Sequence, residues 1–244
     1  MSAAFDSVTA RQFEACLRDL GVGDADLLMV HSSLRSFGRF SGGPQAVVNA
    51  LLKTVADGTV AMPTYTRYID GPDAFDPAYS ASDCGSISEA FRRRGDVVRQ
   101  PHHPTHSMAF WGRGLKALIE QKPGMAYAHF MDRGGKTLLI GVGHETHSFV
   151  HWMLDEAHEA GLLARRQTDS PSFPRLEPWI ERVAGQRSLH CGSSLLRLVD
   201  VQRCRDACFQ ALREEPDLFE LPPTEAERAA PNMKAPSSKS ANNR

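Results

Sequence analysis

The chain has 244 residues, 41% of them apolar and 23% charged, enough for one α/β domain with a substantial core. Its 28 basic and 29 acidic side chains nearly cancel, so no field of one sign points to nucleic acid or to an anionic membrane as a partner. The opening MSAAFDSVTARQFEACLRDL is broken by charges and is not expected to be a signal peptide, and no stretch approaches the ~20 apolar residues of a membrane span. The five cysteines show no C-x-x-C spacing and match no disulfide or zinc framework, so a reducing cytoplasm is the expected compartment.

Thr9 and Gln12 form a capping-box pattern and predict a helix from about residue 10 to Gly21. The apolar run over 27–30 reads as a buried strand, and the loop HSSLRSFGRFSGG follows it. Pro44 suits the first turn of a helix over PQAVVNALLKTV; Gly58 breaks it, and TVAMP reads as the next buried strand. Residues 64–85 are turn-rich, with Gly71-Pro72-Asp73 and Asp76-Pro77 as breakers. Ser86 and Glu89 give a second capping-box pattern, opening the helix SISEAFRRR. Strands are predicted over 107–111 (SMAFW) and 137–142 (TLLIGV), with an amphipathic helix over 146–159. Short strands are predicted around Trp179 to Val183, and a helix near 200–213 closes the fold. Residues 1–221 are expected to form a single domain; 222–244 have too little apolar content to pack and are expected to be a disordered tail. Strands alternating with helices predict an α/β fold with a mixed, largely parallel central sheet and helices on both faces.

Three constellations carry chemistry. The first, His31-Ser32-Ser33-Leu34 leading to Ser36, Gly38, Gly42 and Gly43, lies between a strand and a helix, where glycines let backbone N–H groups approach an anionic ligand. It is neither a P-loop nor a G-x-G-x-x-G, and a plain polar loop with turn glycines is the alternative. The second is Arg99 with His103-Pro104-Thr105-His106-Ser107; His102, His103 and His106 have no local cysteine or carboxylate beside them, so a turn with hydrogen-bonded histidines is the local reading. The third runs from Gly141 to His151 and on to Asp155 and Glu156. His144, His147 and His151 fall at helical spacing, which fits either a metal site or a surface turn, but H-E-x-x-H fails because position 148 is Ser. A histidine with a carboxylate one turn away, as in His151 and Asp155, suits a general base. Cys84 reads as a small buried side chain rather than a nucleophile, and Ser86 and Ser88 flank no G-x-S-x-G elbow.

Taken in order, HSSLRSFGRFSGGPQAVVNALL with DGTVAMPTYT, then FDPAYSASDCGSISEAFRRRGDVVRQPHHPTHSMAFWG, then KTLLIGVGHETHSFVHWMLDEAH, then SLHCGSSLLRLVDVQRCRDACFQALREEPDLF, resemble the aminoglycoside 3-N-acetyltransferase (antibiotic N-acetyltransferase) family over roughly residues 9–220. That resemblance implies the antibiotic N-acetyltransferase fold, distinct from GNAT, and acetyl transfer from acetyl-coenzyme A to a primary amine of an aminoglycoside. It implies no metal. It places Ser32, Ser33, Leu34, Ser36, Gly38, Gly42 and Gly43 against coenzyme A, with Arg99, His106 and Ser107 in the same groove. His151 matches the family's catalytic histidine, and Ser148 stands where the family usually has threonine and would bond the thioester oxygen. Where the family has glutamate three residues after the histidine this chain has Leu154, so Asp155 or Glu156 is the expected carboxylate partner. Other readings are acetylation of an amino sugar in polysaccharide or natural-product biosynthesis, a metal-dependent hydrolase on His144, His147 and His151, and a coenzyme A-binding protein without turnover.

Overall fold

The computed structural model describes residues 7–66, 75–103, 106–112, 126–163 and 173–218. Helix α1 (Ala10–Leu20) starts on Thr9, whose side chain accepts from the Gln12 N–H while the Gln12 side chain bonds back to the Thr9 backbone, and it ends on Gly21 in the left-handed region (φ 92°). Then come β1 (Leu27–Ser32), a 3₁₀ turn (Leu34–Phe37), α2 (Gly43–Thr54) with Pro44 in its first turn, and β2 (Thr59–Pro63). Helix α3 (Ser86–Arg92) precedes the hairpin β3 (Val98–His103) and β4 (His106–Gly112). Helix α4 (Ala126–Asp132), β5 (Lys136–Ile140), a 3₁₀ turn (His144–Thr146) and α5 (Ser148–Glu159) follow. The described chain closes with α6 (Phe173–Ala184), β6 (Arg187–Cys191), β7 (Ser194–Asp200) and α7 (Val201–Glu214).

One mixed seven-stranded sheet has the order β3-β4-β2-β1-β5-β7-β6. Its centre is parallel: β1 pairs with β2 on one side and β5 on the other. Outside that core the pairing is antiparallel, β4 on β2, β3 on β4, β7 on β5 and β6 on β7. Alternation along β1 divides the core. Leu28 and Val30 join the cluster under α1, α2 and α3, whereas Met29 joins the cluster under α4 to α7. Helices therefore cover both faces, as the alternating pattern predicts.

Two local expectations are corrected. The segment around Trp179 to Val183 is helical, because Phe173, Leu176, Trp179, Ile180 and Ala184 recur at helical spacing and are all buried. Pro178 is tolerated inside that helix on its exposed side. The second capping box does not form. Gly85 is the cap of α3, and the Glu89 carboxylate is drawn instead to Arg92, at 2.6 Å from its Nη2, and to the Ser82 N–H at 2.8 Å. The turn Gly71-Pro72-Asp73 and the tail 222–244 lie outside the described residues.

Candidate active site

Strand β1 is where the parallel core splits, with β2 on one side and β5 on the other, and ligands in α/β sheets settle beyond the carboxyl ends of such strands. The polar residues gather there: His31 and Ser32 end β1, Thr64 and Tyr65 follow β2, and residues 141–151 follow β5. The register pairs Pro63 with Met108, so His106 and Ser107 lie past the end of β2, on this same rim of the sheet.

His31 is 4% exposed. The backbone N–H of Ser148 donates to its Nε2 at 3.3 Å, so that nitrogen keeps its lone pair. Burial, reinforced by His151 and His144 nearby, pushes its pKa down to about 3. His31 is therefore a neutral acceptor that seats the first residue of α5, and it is too weak a base to take a proton from an ammonium. Above it, the Tyr65 hydroxyl lies 3.1 Å from Ser148 Oγ and 3.3 Å from the Tyr127 hydroxyl. Burial, with Tyr65 beside it, raises the Tyr127 pKa well above the ordinary value, so Tyr127 stays a hydroxyl. Ser148 thus sits in a row of hydroxyl groups at the start of α5.

His151 lies one turn along α5. Its Nε2 is 2.9 Å from the Glu145 carbonyl oxygen. A carbonyl only accepts, so Nε2 carries the proton and, in the neutral ring, Nδ1 carries the lone pair. Phe173 packs edge-on against the ring, with centroids 5.1 Å apart. The Glu145 backbone carbonyl thus holds one ring nitrogen of His151. Glu156 is not its carboxylate partner: that carboxylate is held by Arg205 at 2.7 and 2.9 Å, tying α5 to α7. Leu154 is fully buried in the core, while Asp155 is half-buried one turn beyond His151.

The loop after β1 is pinned from several sides. Ser33 N–H donates to the Ile140 carbonyl at 2.9 Å, and Leu34 begins the 3₁₀ turn. The Ser36 hydroxyl lies 2.7 Å from both the Ser33 carbonyl and Ser194 Oγ, and the residue packs so tightly on Gly141 that a Cβ there would collide with it. The Ser36 side chain thus holds the loop to β7. Gly38, Gly42 and Gly43 adopt φ of 71°, 82° and 64°, a conformation other residues rarely take. A Cβ on Gly43 would meet nothing within 4 Å among the described residues, so the start of α2 is open there. The Ser32 hydroxyl is buried with no hydrogen-bond partner among the described residues, a polar atom placed for a ligand. Arg99 is held by the protein itself. Its guanidinium donates to the carbonyls of Thr64, Pro77 and Ser80 and to the hydroxyls of Thr64 and Thr66, fastening the segment after β2 to β3. Burial, with Arg92 nearby, lowers its pKa to about 10, which leaves it charged at neutral pH.

The helical spacing of His144, His147 and His151 is broken, because 144–146 form a 3₁₀ turn and His147 is the residue on which α5 starts. Sequence reasoning missed Tyr65, Tyr127 and the partners of His144 and His147, which come from segments far apart in the chain. The one available signal was the position of Tyr65, just beyond the carboxyl end of a buried strand.

Residues 29–213 match the model of the aminoglycoside 3-N-acetyltransferase family. Aminoglycoside N(3)-acetyltransferase IV of Salmonella sp is 33% identical over 147 residues, an alignment covering 55% of this chain and 54% of that relative. The chain thus spans about half the length of that curated relative. The crystal structure of aminoglycoside acetyltransferase AAC(3)-IVa as apoenzyme superposes with a TM-score of 0.77 at 25% identity, covering 91% of this chain and 94% of that one. A histidine-to-alanine mutant of the same enzyme, in complex with a gentamicin, gives a TM-score of 0.75 at 24% identity, covering 91% and 95%.

Proposed function

Since the chain belongs to the aminoglycoside 3-N-acetyltransferase family, we propose that it transfers the acetyl group of acetyl-coenzyme A to a primary amine of an aminoglycoside, at the 3-N position, and so confers resistance to it. The observation that carries this reading is the pairing of His151 Nε2 with the Glu145 carbonyl at the carboxyl rim of the parallel strands, which leaves the lone pair of the neutral ring on Nδ1.

An aminoglycoside amine is largely protonated at neutral pH and has no lone pair with which to attack. His151 Nδ1 accepts its proton. The amine nitrogen then adds to the thioester carbon and the C–S bond breaks; the departing thiolate takes the nitrogen's second proton and leaves as coenzyme A thiol, the aminoglycoside keeps the acetyl group as an amide, and His151 returns its proton to solvent. General-base assistance of this kind contributes on the order of 10² to 10⁴ in rate. The Ser148 hydroxyl, oriented by Tyr65, donates to the oxyanion of the tetrahedral intermediate, worth about 3 kcal/mol in favourable geometry. His31 keeps the start of α5 in place without competing for the proton.

Acetyl-coenzyme A is a co-substrate, and the loop fits one. The Ser32 hydroxyl, without a partner among the described residues, and the open positive-φ Gly43 at the start of α2 suit a polar thioester tail and its phosphates. Arg99, by holding the segment after β2, shapes the wall of the same groove, to which the backbone of His106 and Ser107 also belongs. No described helix is long and apolar enough to cross a membrane, and the reading places the enzyme in the cytoplasm, acting on a small molecule. Thiol release from acetyl-coenzyme A against a panel of aminoglycosides and simple amino sugars tests it, and turnover of the amino sugars alone would move the function to biosynthesis.

A further inference from the structure

His144 and His147 take no part in that chemistry, yet both are buried, at 1% and 0% exposure. Their Nδ1 atoms face each other at 2.9 Å. Cys204, buried on α7, joins them: one ring nitrogen of each histidine and the Cys204 sulfur all lie within 4.8 Å of one another. His151, which the helical spacing had offered as a third ligand, is absent from this group, and Cys204 stands in its place.

The other ring nitrogens are already held. His144 Nε2 is 2.8 Å from Gln186 Oε1 and 3.6 Å from the Glu177 carboxylate. The orientation of that amide is fixed, because Gln186 Nε2 donates to Glu177 Oε1 at 3.0 Å, and Arg197 Nε donates to the same oxygen at 2.7 Å. Gln186 Oε1 must therefore accept, so His144 Nε2 carries a proton and its Nδ1 a lone pair. His147 Nε2 is 2.8 Å from the Thr137 hydroxyl, which rotates to accept a proton as readily as to give one. Metal-binding histidines are arranged in this way, with the outer nitrogen donating to a carboxylate, carbonyl or hydroxyl and the inner one aimed at the ion.

We propose that His144 Nδ1, His147 Nδ1 and Cys204 Sγ bind one thiophilic transition-metal ion of the zinc class. Two imidazoles and a thiol form a soft donor set that selects zinc over magnesium or calcium, which need oxygen ligands. Zn–N bonds of about 2.0–2.1 Å at a tetrahedral angle set the nitrogens roughly 3.3 Å apart, so the observed pair has to open by only a few tenths of an ångström. On binding, His147 exchanges the Nδ1 proton that it donates to His144 Nδ1 for one on Nε2, which then donates to the Thr137 hydroxyl, and Cys204 gives its proton to solvent and coordinates as thiolate. The charge of Glu177 lies behind His144, where it balances part of the ion's charge. The ion would clip the turn before α5 to α7 and so steady the helix that carries Ser148 and His151. It is structural and does not enter acetyl transfer, so the inference stands or falls apart from the proposed activity.

The test uses untagged full-length protein, stripped with a chelator and titrated with Co²⁺ and then Zn²⁺. The expected result is one Co²⁺ per chain, with the charge-transfer absorption of a cobalt–thiolate bond, displacement by Zn²⁺, and a rise in Tm on adding Zn²⁺. Cys204→Ser should lose the charge-transfer absorption. Gln186→Ala keeps all three ligands but removes the group orienting one of them, and should bind Zn²⁺ about 10–100-fold more weakly. Wild-type protein that takes up no Co²⁺, or a cobalt spectrum unchanged in Cys204→Ser, overturns the proposal. Should Cys204→Ser not fold, Gln186→Ala decides, and undiminished Zn²⁺ affinity in that variant overturns it equally.

Discussion

Gly43→Ala perturbs the loop after β1 at a point where the protein itself has room. Gly43 sits at φ 64°, and a Cβ there meets nothing within 4 Å among the described residues. The cost to the free protein is therefore the left-handed backbone alone, about 1–2 kcal/mol for a non-glycine residue. Gly42→Ala is the contrasting case: at φ 82° its Cβ would also come to 2.8 Å from Ala46 Cβ. Crowding of that kind adds roughly 1–3 kcal/mol. Urea unfolding should rank wild type above Gly43→Ala, and Gly43→Ala above Gly42→Ala. Coenzyme A binding separates the reasoning from mere destabilisation. If backbone at the start of α2 lies against the ligand, the new methyl group of Gly43→Ala occupies ligand space. Calorimetric titration should then show at least ~10-fold weaker binding, about 1.4 kcal/mol, in a protein that is still folded. Ser36→Ala serves as the control. Its hydroxyl bonds within the protein, to Ser33 and Ser194, so the variant should lose about 0.5–1.5 kcal/mol of stability per hydrogen bond and little affinity. Equal coenzyme A affinity in wild type and Gly43→Ala would refute the placement of the ligand on this loop.

His151→Ala should lower kcat by at least ~10² while leaving coenzyme A affinity nearly intact, and near-normal turnover would remove the base from the mechanism. Cys84→Ala should stay active, because Cys84 Sγ accepts a weak hydrogen bond from the Tyr65 N–H and the amine attacks the thioester directly; an acetylated Cys84 in the mass spectrum of wild type would contradict this. Stability should fall in acid through the buried His31. The unfolded chain protonates His31 near its ordinary 6.5, the folded one only near 3, so the stabilisation is complete above 6.5 and is lost as pH drops through that window. At pH 5 the loss from His31 is about 2 kcal/mol. A urea midpoint equal at pH 7.5 and pH 5 would count against a neutral His31.

Much of the frame was legible because its signals are local. The cap of α1, Pro44 at the start of α2, and the apolar runs of β1, β2 and β5 depend on neighbouring residues, and the fold follows them. The helix α6 was misread because Pro178 and Trp179 hid its period, although burial of Leu176 and Ile180 fixes it. The site was legible only in part. His151 and Ser148 stand on one helix and the resemblance named them together, whereas the groups that tune them come from elsewhere. His31 belongs to another strand, Tyr65 to the segment after β2, and the carbonyl that fixes the His151 tautomer belongs to backbone, which no side-chain pattern reveals. Glu156 illustrates the converse: adjacency in sequence pointed to His151, but helix geometry turned the carboxylate to Arg205.

The most direct test of acetyl transfer is a mass-resolved assay of wild type and His151→Ala with acetyl-coenzyme A and an aminoglycoside bearing a free 3-amino group. Wild type should release one coenzyme A thiol for each acetyl group gained by the aminoglycoside, with the new amide at the 3-amino position, and His151→Ala should do so at least ~10²-fold more slowly. Folded wild-type protein that binds acetyl-coenzyme A yet acetylates no aminoglycoside in the panel would contradict the account.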